Sequence, residues 1–195
     1  YFGSFGRCVR NADFVFGGRS RRPPRDPLNA MLSFGYAMLA GTVENAVLRA
    51  GFDPLLGAFH APEYGRPSLV LDLMEEFRPT VIDSLVLRLV NRREVAIEDF
   101  DRAHEDERDA LDADDDVDVG GTEANAVAAK VKGIWLSESG RRVFFRAWGR
   151  RIRDVLYYPP QERRLSIEDI VAQQVYALAR LVKKESSPYE PFVPR

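Results

Sequence analysis

Helix start and stop signals divide much of this chain into helical segments. Asp26 followed by Pro27 is a typical helix start, because an aspartate can cap free amide groups and proline suits the first turn. Apolar residues then recur at helical spacing to Ala50, where Gly51 is a typical stop. A short strand is indicated only near residues 133–136. We therefore predict an all-α fold, an irregular multi-helix domain.

Further signals predict three more helices. Pro79 should kink or break the first of them. Ser137 is a candidate N-cap for the second, and Ser166 with Asp169 three residues later has the form of a capping box for the third. The predicted ranges are 69–90, 137–153 and 166–184.

The segment from 51 to 79, GFDPLLGAFHAPEYGRPSLVLDLMEEFRP, places an imidazole and three carboxylates on either side of a turn. His60 ends an apolar run, and Asp72, Glu75 and Glu76 follow on the predicted helix. Asp72 and Glu75 are three residues apart and therefore share a helix face. One nitrogen with two or three oxygens suits Mg²⁺ or Mn²⁺ better than a structural zinc. Such a site supports phosphoryl transfer.

A structural interpretation of the same residues stays open. Carboxylates in the first turn of a helix are favoured by the helix dipole in any protein, and Ser68 is a candidate N-cap. A single histidine on an apolar segment is commonly a hydrogen-bonded core residue. The spacing alone does not decide between a metal site and a helix start.

Charge is unevenly distributed along the chain. Residues 94–118 hold thirteen Asp or Glu and two Arg, so this tract has a net charge of −11 and the rest of the chain +9. Clustered arginines favour binding to a nucleic-acid backbone, although those of the second cluster recur at helical spacing and also fit a solvated helix face. The clusters are Arg7, Arg10, Arg19, Arg21, Arg22 and Arg25, and Lys130, Lys132, Arg141, Arg142, Arg146, Arg150, Arg151 and Arg153.

The acidic tract is predicted to change character along its length. Its first third, to about Leu111, is compatible with a helix. From about 111 to 130 the density of like charge and the scarcity of bulky apolar residues favour a disordered insertion. The aspartates do not have the spacing of an EF-hand calcium loop.

Length and composition predict one soluble domain covering residues 1–195. A chain of 195 residues with 45% hydrophobic and 30% charged residues can bury a sizeable core. No apolar run approaches the roughly 18 residues that a membrane span needs. The single cysteine, Cys8, excludes an internal disulfide and suits a cytoplasmic protein.

Two blocks of the sequence closely resemble a known family. RRPPRDPLNAMLSFGYAML at 21–39 and GFDPLLGAFH with GRPSLVLDLMEEFRP within 51–79 resemble the CRISPR-associated spacer-acquisition integrase, the larger of the two core adaptation proteins. LSESGRR at 136–142, the pair Gln173 and Gln174, and the closing YEPFVPR add weaker likenesses. The resemblance implies the C-terminal helical domain of that family, and the chain is predicted to be a single catalytic domain.

The resemblance also implies an activity and its residues. Family members are metal-dependent DNA endonucleases and integrases that join the 3′-hydroxyl ends of a DNA fragment to a CRISPR repeat by transesterification. His60 and Glu75 would bind Mg²⁺ or Mn²⁺, with Asp72 as a ligand or as a carboxylate that orients the ligands. The residues expected to line the site and contact DNA are Asn29, Arg66, Ser68, Arg22 and Arg25.

The family pattern has a further ligand that this chain does not contain. It is a glutamate in a sequence like EGxAAxxYF just before the RRPPxDPxN block, and the chain begins at Tyr1-Phe2, immediately after that place. An N-terminal β-rich domain is also absent. We therefore expect a chain truncated at its N-terminus, and a noncatalytic DNA-binding or dimerisation remnant is the alternative function.

The expected partners follow from the same resemblance. They are prespacer DNA and the CRISPR repeat, a second copy of the chain, and a small ferredoxin-like CRISPR-associated adaptation protein. The apolar face from Leu85 to Val90 is a candidate contact, which burial in the core explains equally well. A general all-α interaction domain unrelated to DNA is a third hypothesis, and it predicts no salt-sensitive DNA binding.

Overall fold

Six α-helices and two separate two-stranded sheets make up the regular structure of the described residues. This computed structural model describes residues 2–57, 65–103, 133–184 and 189–194. The prediction of an all-α fold is confirmed in its main feature, with two short two-stranded sheets added. The elements are α1 (Phe2–Arg7), α2 (Pro27–Arg49), α3 (Ser68–Met74), a π-helical turn (Arg78–Asp83), α4 (Ser84–Asn91), β1 (Phe100–Ala103), β2 (Gly133–Leu136), α5 (Glu138–Arg151), β3 (Val155–Tyr158), β4 (Arg163–Ser166) and α6 (Ile167–Val182).

Helix α2 is the central element of the core. It contacts α3, the π-helical turn, α4, α6 and β2. The predicted cap is confirmed, because the Asp26 side chain accepts a hydrogen bond from the Asn29 amide at 2.8 Å. Gly51 follows the helix at φ +80°, a left-handed conformation that glycine adopts without strain. Leu28, Met31, Leu32, Leu39 and Val43 are fully buried, so the apolar repeat predicted for this helix faces the core.

The predicted second helix is interrupted near Pro79, as the sequence indicated. α3 ends at Met74, and three residues then lead into the π-helical turn, which Pro79 enters in its first turn. α4 follows without a gap, and its apolar side chains from Leu85 to Val90 pack in the core. The apolar face considered as a dimer contact is therefore buried in the core of the protein. Ser68 is the first residue of α3 rather than its cap, a position that Pro67 occupies.

The two sheets differ in part from the sequence prediction. The expected strand at 133–136 is present as β2, and it pairs antiparallel with β1, Phe100 opposite Leu136. The helix expected toward Leu111 is wrong for residues 100–103, because tertiary pairing with β2 outweighs local helix preference there. Strands β3 and β4 pair antiparallel, Val155 opposite Ser166, and were not predicted. The proposed disordered insertion at 111–130 lies outside the described residues.

The caps of the last two helices agree with the prediction. Ser137 accepts a hydrogen bond from the Gly140 amide at the start of α5. Ser166 and Asp169 exchange hydrogen bonds at the start of α6, the Ser166 hydroxyl donating to Asp169 Oδ2 at 2.6 Å and accepting from the Asp169 amide at 3.1 Å. None of the helices in the described ranges combines the length and apolar character needed to cross a bilayer.

Candidate metal and DNA-binding site

Two of the predicted metal ligands lie at the end of α3. Asp72 is in the last turn of the helix and is half-buried, and Glu75 follows its final residue with a side chain that is 54% exposed. Glu75 keeps helical backbone angles, φ −56° and ψ −40°. The three-residue spacing therefore puts both carboxylates on the same side of the segment.

The chain that leads to His60 packs against α3. The Leu69 amide donates to the Pro54 carbonyl at 3.0 Å. A Cβ atom added at Gly57 would lie 2.6 Å from the Ser68 Cβ and 3.0 Å from Asp72 Oδ2, so only a glycine fits this approach without displacement. His60 itself lies outside the described residues. The segment that precedes it, from Pro54 to Gly57, is held against the face of α3 that carries Asp72.

An ion pair connects Glu75 to a group of polar side chains deeper in the protein. Arg78 Nη1 lies 3.0 Å from Glu75 Oε1, and the Arg78 guanidinium is 4.9 Å from the centre of the Tyr36 ring. Arg19 lies 5.5 Å from the centre of that ring. The Tyr36 hydroxyl donates to Asp83 Oδ1 at 2.6 Å, and Asp83 is buried. We call Arg19, Tyr36, Arg78 and Asp83 the cation cluster.

Burial determines the protonation of the cation cluster. It lowers the pKa of Arg19, partly offset by Tyr36, yet an arginine remains protonated at neutral pH. Burial also raises the pKa of Tyr36, and the adjacent Asp83 adds to the rise. The Tyr36 hydroxyl is therefore a hydrogen-bond donor at neutral pH. With two arginines and one aspartate, the cation cluster has a net positive charge, and it lies next to Glu75 through Arg78.

Asn29 holds the cation cluster to the preceding chain. Its side chain has no exposed surface. Oδ1 accepts from Arg19 Nη1 at 2.8 Å and from the Ser20 amide at 2.9 Å. Nδ2 donates to the Gly18 carbonyl at 2.7 Å and to Asp26 Oδ2 at 2.6 Å. The observed role of Asn29 is to fix the segment from 18 to 20, and contact with DNA stays a prediction for it.

The other residues predicted to contact DNA differ in exposure. Arg22 and Arg25 are exposed on the segment before α2. Arg66 is half-buried before α3, and Ser68 is fully buried. Three arginines thus have surface that a ligand can reach. For Ser68, a phosphate contact stays a prediction that its burial does not favour.

Glu76 does not join Asp72 and Glu75. Its carboxylate accepts from the Tyr189 hydroxyl at 2.7 Å, from the Phe192 amide at 2.6 Å and from Gln174 Nε2 at 3.0 Å. Burial raises the pKa of Glu76, while these hydrogen bonds pull it down. The third oxygen ligand considered for the metal is therefore used to hold the segment 189–192, and we call Glu76, Gln174 and Tyr189 the closing cluster.

The donor set suits a hard divalent cation. Asp72 and Glu75 offer carboxylate oxygens, which Mg²⁺ and Mn²⁺ prefer. In the part of the chain that the structure describes, no three His, Cys, Asp or Glu side chains gather closely enough to hold a metal ion. The predicted set of His60, Asp72 and Glu75 includes a residue outside that part, so its convergence remains a prediction.

The second basic cluster divides into structural and available arginines. Arg151 binds Asp154 Oδ2 at 2.9 Å and donates to the Thr80 carbonyl and the Ser84 hydroxyl, which ties α5 to the start of α4. Arg142 forms an exposed ion pair with Glu138, and exposed Arg150 pairs with the half-buried Glu94. Within the described residues, Arg146 and Arg153 are exposed and have no ion-pair partner; Lys130 and Lys132 lie outside them.

Sequence reasoning missed three members of the cation cluster as site residues and placed Arg19 only in a basic cluster. Arg78 had a local signal, because it follows Glu75 by three residues and opposite charges at that spacing pair on a helical segment. Tyr36 and Asp83 are 47 positions apart and carry no common motif, so their hydrogen bond depends on packing of α2 against the π-helical turn.

Comparison with known proteins decides the family. The model of the family described as CRISPR associated protein Cas1 matches residues 1–114, more than half of the chain. The chain belongs to the Cas1 family. It is 38% identical over 195 residues to a CRISPR-associated endonuclease Cas1 of Thermus thermophilus, covering 100% of this chain and 50% of that protein. The chain therefore spans about half the length of the curated relatives it matches.

Solved structures agree with a Cas1 fold. The casposase bound to integration product has a TM-score of 0.77 at 20% identity, covering 97% of this chain and 46% of that one. A chain of a Cas6-RT-Cas1–Cas2 complex has a TM-score of 0.73 at 21% identity, covering 98% of this chain and 18% of that one. At these identities the likeness concerns the fold.

Proposed function

We propose that this Cas1 chain is the catalytic part of a metal-dependent DNA endonuclease and integrase that inserts new spacers into a CRISPR array. The observation that carries the proposal is the arrangement around α3. Asp72 and Glu75 share one face, and the chain that leads to His60 packs against that face through Gly57. The names of relatives as Cas1 endonucleases support the reaction class.

His60 and Glu75 are the proposed ligands of Mg²⁺ or Mn²⁺, and Asp72 is a third ligand or orients the other two. His60 is three positions after Gly57, a length of chain that spans at most about 11 Å. This reach supports a place for the imidazole near Asp72. When bound, the cation helps to activate a 3′-hydroxyl and offsets charge that develops on the phosphate.

The proposed reaction exchanges one phosphodiester bond for another. The 3′-oxygen of the incoming DNA end forms a bond to a phosphorus atom of the repeat, and the bond from that phosphorus to its original 3′-oxygen breaks. The proton of the attacking hydroxyl is lost, and the departing oxygen gains one. Because the number of phosphodiester bonds is unchanged, the step needs no nucleotide triphosphate or other co-reactant.

Positive charge around the site supports DNA as the substrate. Arg22, Arg25 and Arg66 are the proposed phosphate contacts, and each has surface outside the core. Arg78 balances Glu75 and lies in the net positive cation cluster. Phosphate recognition by arginine is strong because the guanidinium forks onto two oxygens.

The proposed partners are DNA, a second copy of the chain and a small Cas2-type adaptation protein. The complex named above contains Cas1 and Cas2, and the casposase was solved with its integration product. Binding without joining is the alternative function. Arg146 and Arg153, which have no ion-pair partner in the described residues, favour DNA contact in either case.

An integration assay tests the proposal. His60→Ala and Glu75→Ala are introduced into the complete natural polypeptide that contains these residues, and joining of a labelled DNA end to a repeat-bearing plasmid is followed with Mg²⁺ and with Mn²⁺. Both variants are expected to lose joining while their melting temperatures stay unchanged. Glu44→Ala, an exposed carboxylate on α2, is the matched control.

The outcomes separate the hypotheses. Retained joining by either variant removes the metal-ligand assignment. Salt-sensitive DNA binding by a wild-type protein that does not join DNA favours the noncatalytic alternative. Absence of salt-sensitive DNA binding favours an interaction domain unrelated to DNA.

A further inference from the structure

The last described residues of the chain are fastened next to the candidate metal ligand Glu75. The Glu76 carboxylate receives three hydrogen bonds, from the Tyr189 hydroxyl, the Phe192 amide and Gln174. Two of these donors belong to the segment 189–192. The segment 189–192 therefore binds the residue directly after Glu75.

Packing and further hydrogen bonds fix the same segment. Phe192 is 5% exposed and its ring stacks on Phe77, with centres 5.9 Å apart and an angle of 21° between the planes. Gln174 Nε2 also donates to the Glu190 carbonyl at 3.0 Å, while its oxygen accepts from the Tyr158 hydroxyl at 2.8 Å. The segment is thus connected to both Glu76 and α6.

The segment 189–192 binds where the regular helical structure is interrupted, between α3 and the π-helical turn. α3 ends at Met74 and the π-helical turn begins at Arg78, so residues 75–77 lie between two helical elements. A segment without continuous helical hydrogen bonding is held by its side chains to a greater extent. Two adjacent residues supply such contacts to the segment 189–192, which we call the closing segment. Glu76 accepts its hydrogen bonds, and Phe77 stacks on Phe192.

We propose that the closing cluster is a positioning device for the candidate ligand Glu75, with Glu76 and Tyr189 as positioning residues that contact neither metal nor DNA. The inference rests on the proposed function in one respect, the role of Glu75. By holding residues 76 and 77, the closing segment restricts the backbone from which the Glu75 carboxylate projects. Groups behind a ligand affect metal affinity in this way.

The chemistry of the cluster separates a positioning role from a ligand role. Gln in place of Glu76 retains one oxygen for the Phe192 amide and for Gln174, and its amide can donate to the Tyr189 hydroxyl. Glu76→Gln therefore preserves the connection without the charge. Glu76→Ala removes both. Tyr189→Phe removes the hydrogen bond to Glu76 and the longer one, 3.4 Å, that the hydroxyl accepts from Gln174 Nε2.

The experiment measures two properties of the complete natural polypeptide. The first is the Mn²⁺ concentration that gives half-maximal DNA joining, together with the maximal rate and DNA affinity. The second, independent of catalysis, is amide hydrogen exchange of residues 75–78 without metal or DNA. The variants are Glu76→Ala, Glu76→Gln and Tyr189→Phe. Exposed Glu190→Gln and exposed Tyr176→Phe are the matched controls.

Tyr189→Phe is expected to raise the half-maximal Mn²⁺ concentration about three- to tenfold, with DNA affinity unchanged, and Glu76→Ala about ten- to a hundredfold. Exchange at 75–78 becomes faster in both. Glu76→Gln recovers most of the loss, and the controls match wild type. If Glu76→Ala does not fold, Tyr189→Phe carries the test alone.

Two results overturn the inference. One is exchange at 75–78 that stays at the wild-type rate when Glu76 or Tyr189 is changed. The other is a Glu76→Gln variant that is as defective in joining as Glu75→Ala while its exchange at 75–78 is normal, which would make the Glu76 charge itself functional. Faster exchange together with an active Glu75→Ala variant would instead overturn the proposed function and leave the mechanical connection intact.

Discussion

Two tyrosine–carboxylate hydrogen bonds flank Glu75, and their surroundings differ. In the cation cluster the Tyr36 hydroxyl donates to Asp83 at 2.6 Å, with Arg19 and Arg78 beside the Tyr36 ring. In the closing cluster Tyr189 donates to Glu76 at 2.7 Å. The other donors to this carboxylate are the Phe192 backbone amide and the Gln174 side-chain amide. One bond lies among positive charges, the other among neutral groups.

The difference indicates what each cluster can do. Arg78 reaches from the cation cluster to Glu75. If this ion pair opens, Arg78 can bind another anion and the Glu75 carboxylate can bind a cation. The closing cluster has its donors committed to Glu76 and acts through the position of the backbone. Electrostatic effects on the site are therefore expected from the first cluster and geometric effects from the second.

The largest expected effect is on the free energy of unfolding, and it distinguishes the Asp83 carboxylate from that of Glu76. Asp83→Ala leaves the arginines of the cation cluster without this carboxylate and should lower the free energy of unfolding by about 3 kcal/mol. Glu76→Ala removes an acceptor shared by three neutral donors, of which Gln174 keeps the Glu190 carbonyl, and it also removes the cost of burying a charge. A loss of about 2 kcal/mol is expected. Urea unfolding measures both, with exposed Asp101→Ala as control. Equal losses would show that the charges of the arginines do not matter for stability.

An intermediate effect is expected where the chain before His60 meets α3. Gly57→Ala brings a Cβ atom to 2.6 Å from the Ser68 Cβ, which should cost about 2 kcal/mol of stability through overpacking. Because the displaced chain leads to His60, DNA joining should fall further than the loss of stability explains. Gly17→Ala has open space around its Cβ and is the matched control.

A Gly57→Ala variant with wild-type joining at a temperature well below its melting point would contradict a role for this contact in the site. Geometric control of the site would then come from the closing cluster rather than from the approach at Gly57.

The smallest effect concerns the tyrosine hydroxyls and pH. Tyr36→Phe should lower stability at neutral pH by about 1 kcal/mol through loss of the bond to Asp83. The pKa of Tyr36 is raised above its ordinary value of 10.0 in the folded protein, so the unfolded chain loses this proton first as the pH rises. The contribution of the hydroxyl is complete below that value and declines above it.

The difference in unfolding free energy between wild type and Tyr36→Phe should therefore narrow from about pH 10 upward. Urea unfolding across the alkaline range measures it, and exposed Tyr157→Phe is the control. Tyr189, whose pKa is raised by burial and by Glu76, should behave in the same direction. A constant difference for Tyr36→Phe would contradict the raised pKa.

Helix boundaries were predictable because they depend on short stretches of chain. Asp26, Ser137 and Ser166 each cap a helix through the amide three residues ahead, and Pro79 interrupts helical hydrogen bonding locally. The strand β1 was not predictable in this way. Its sequence favours no strand alternation, and it exists through pairing with β2, which lies more than thirty positions later.

The candidate site was predictable in part. The three-residue spacing of Asp72 and Glu75 is enough to place them on one face, and the two sequence blocks were enough to indicate the family. The opposite roles of Glu75 and Glu76 were not predictable, because adjacent carboxylates have the same chemistry. Their difference depends on Tyr189 and Phe192, which are more than a hundred positions away.

The sequence alone indicated the helices from α2 onward, the family and the pair of carboxylates, since each depends on residues close together in the chain, whereas α1 was not predicted. The tertiary structure alone decided which polar groups are committed and which remain available. Asn29 became an internal anchor, Glu76 a support for the chain end, and Glu75 a half-exposed carboxylate beside Arg78. The physical reason is that burial and hydrogen-bond partners are supplied by distant segments, whose meeting no local pattern encodes.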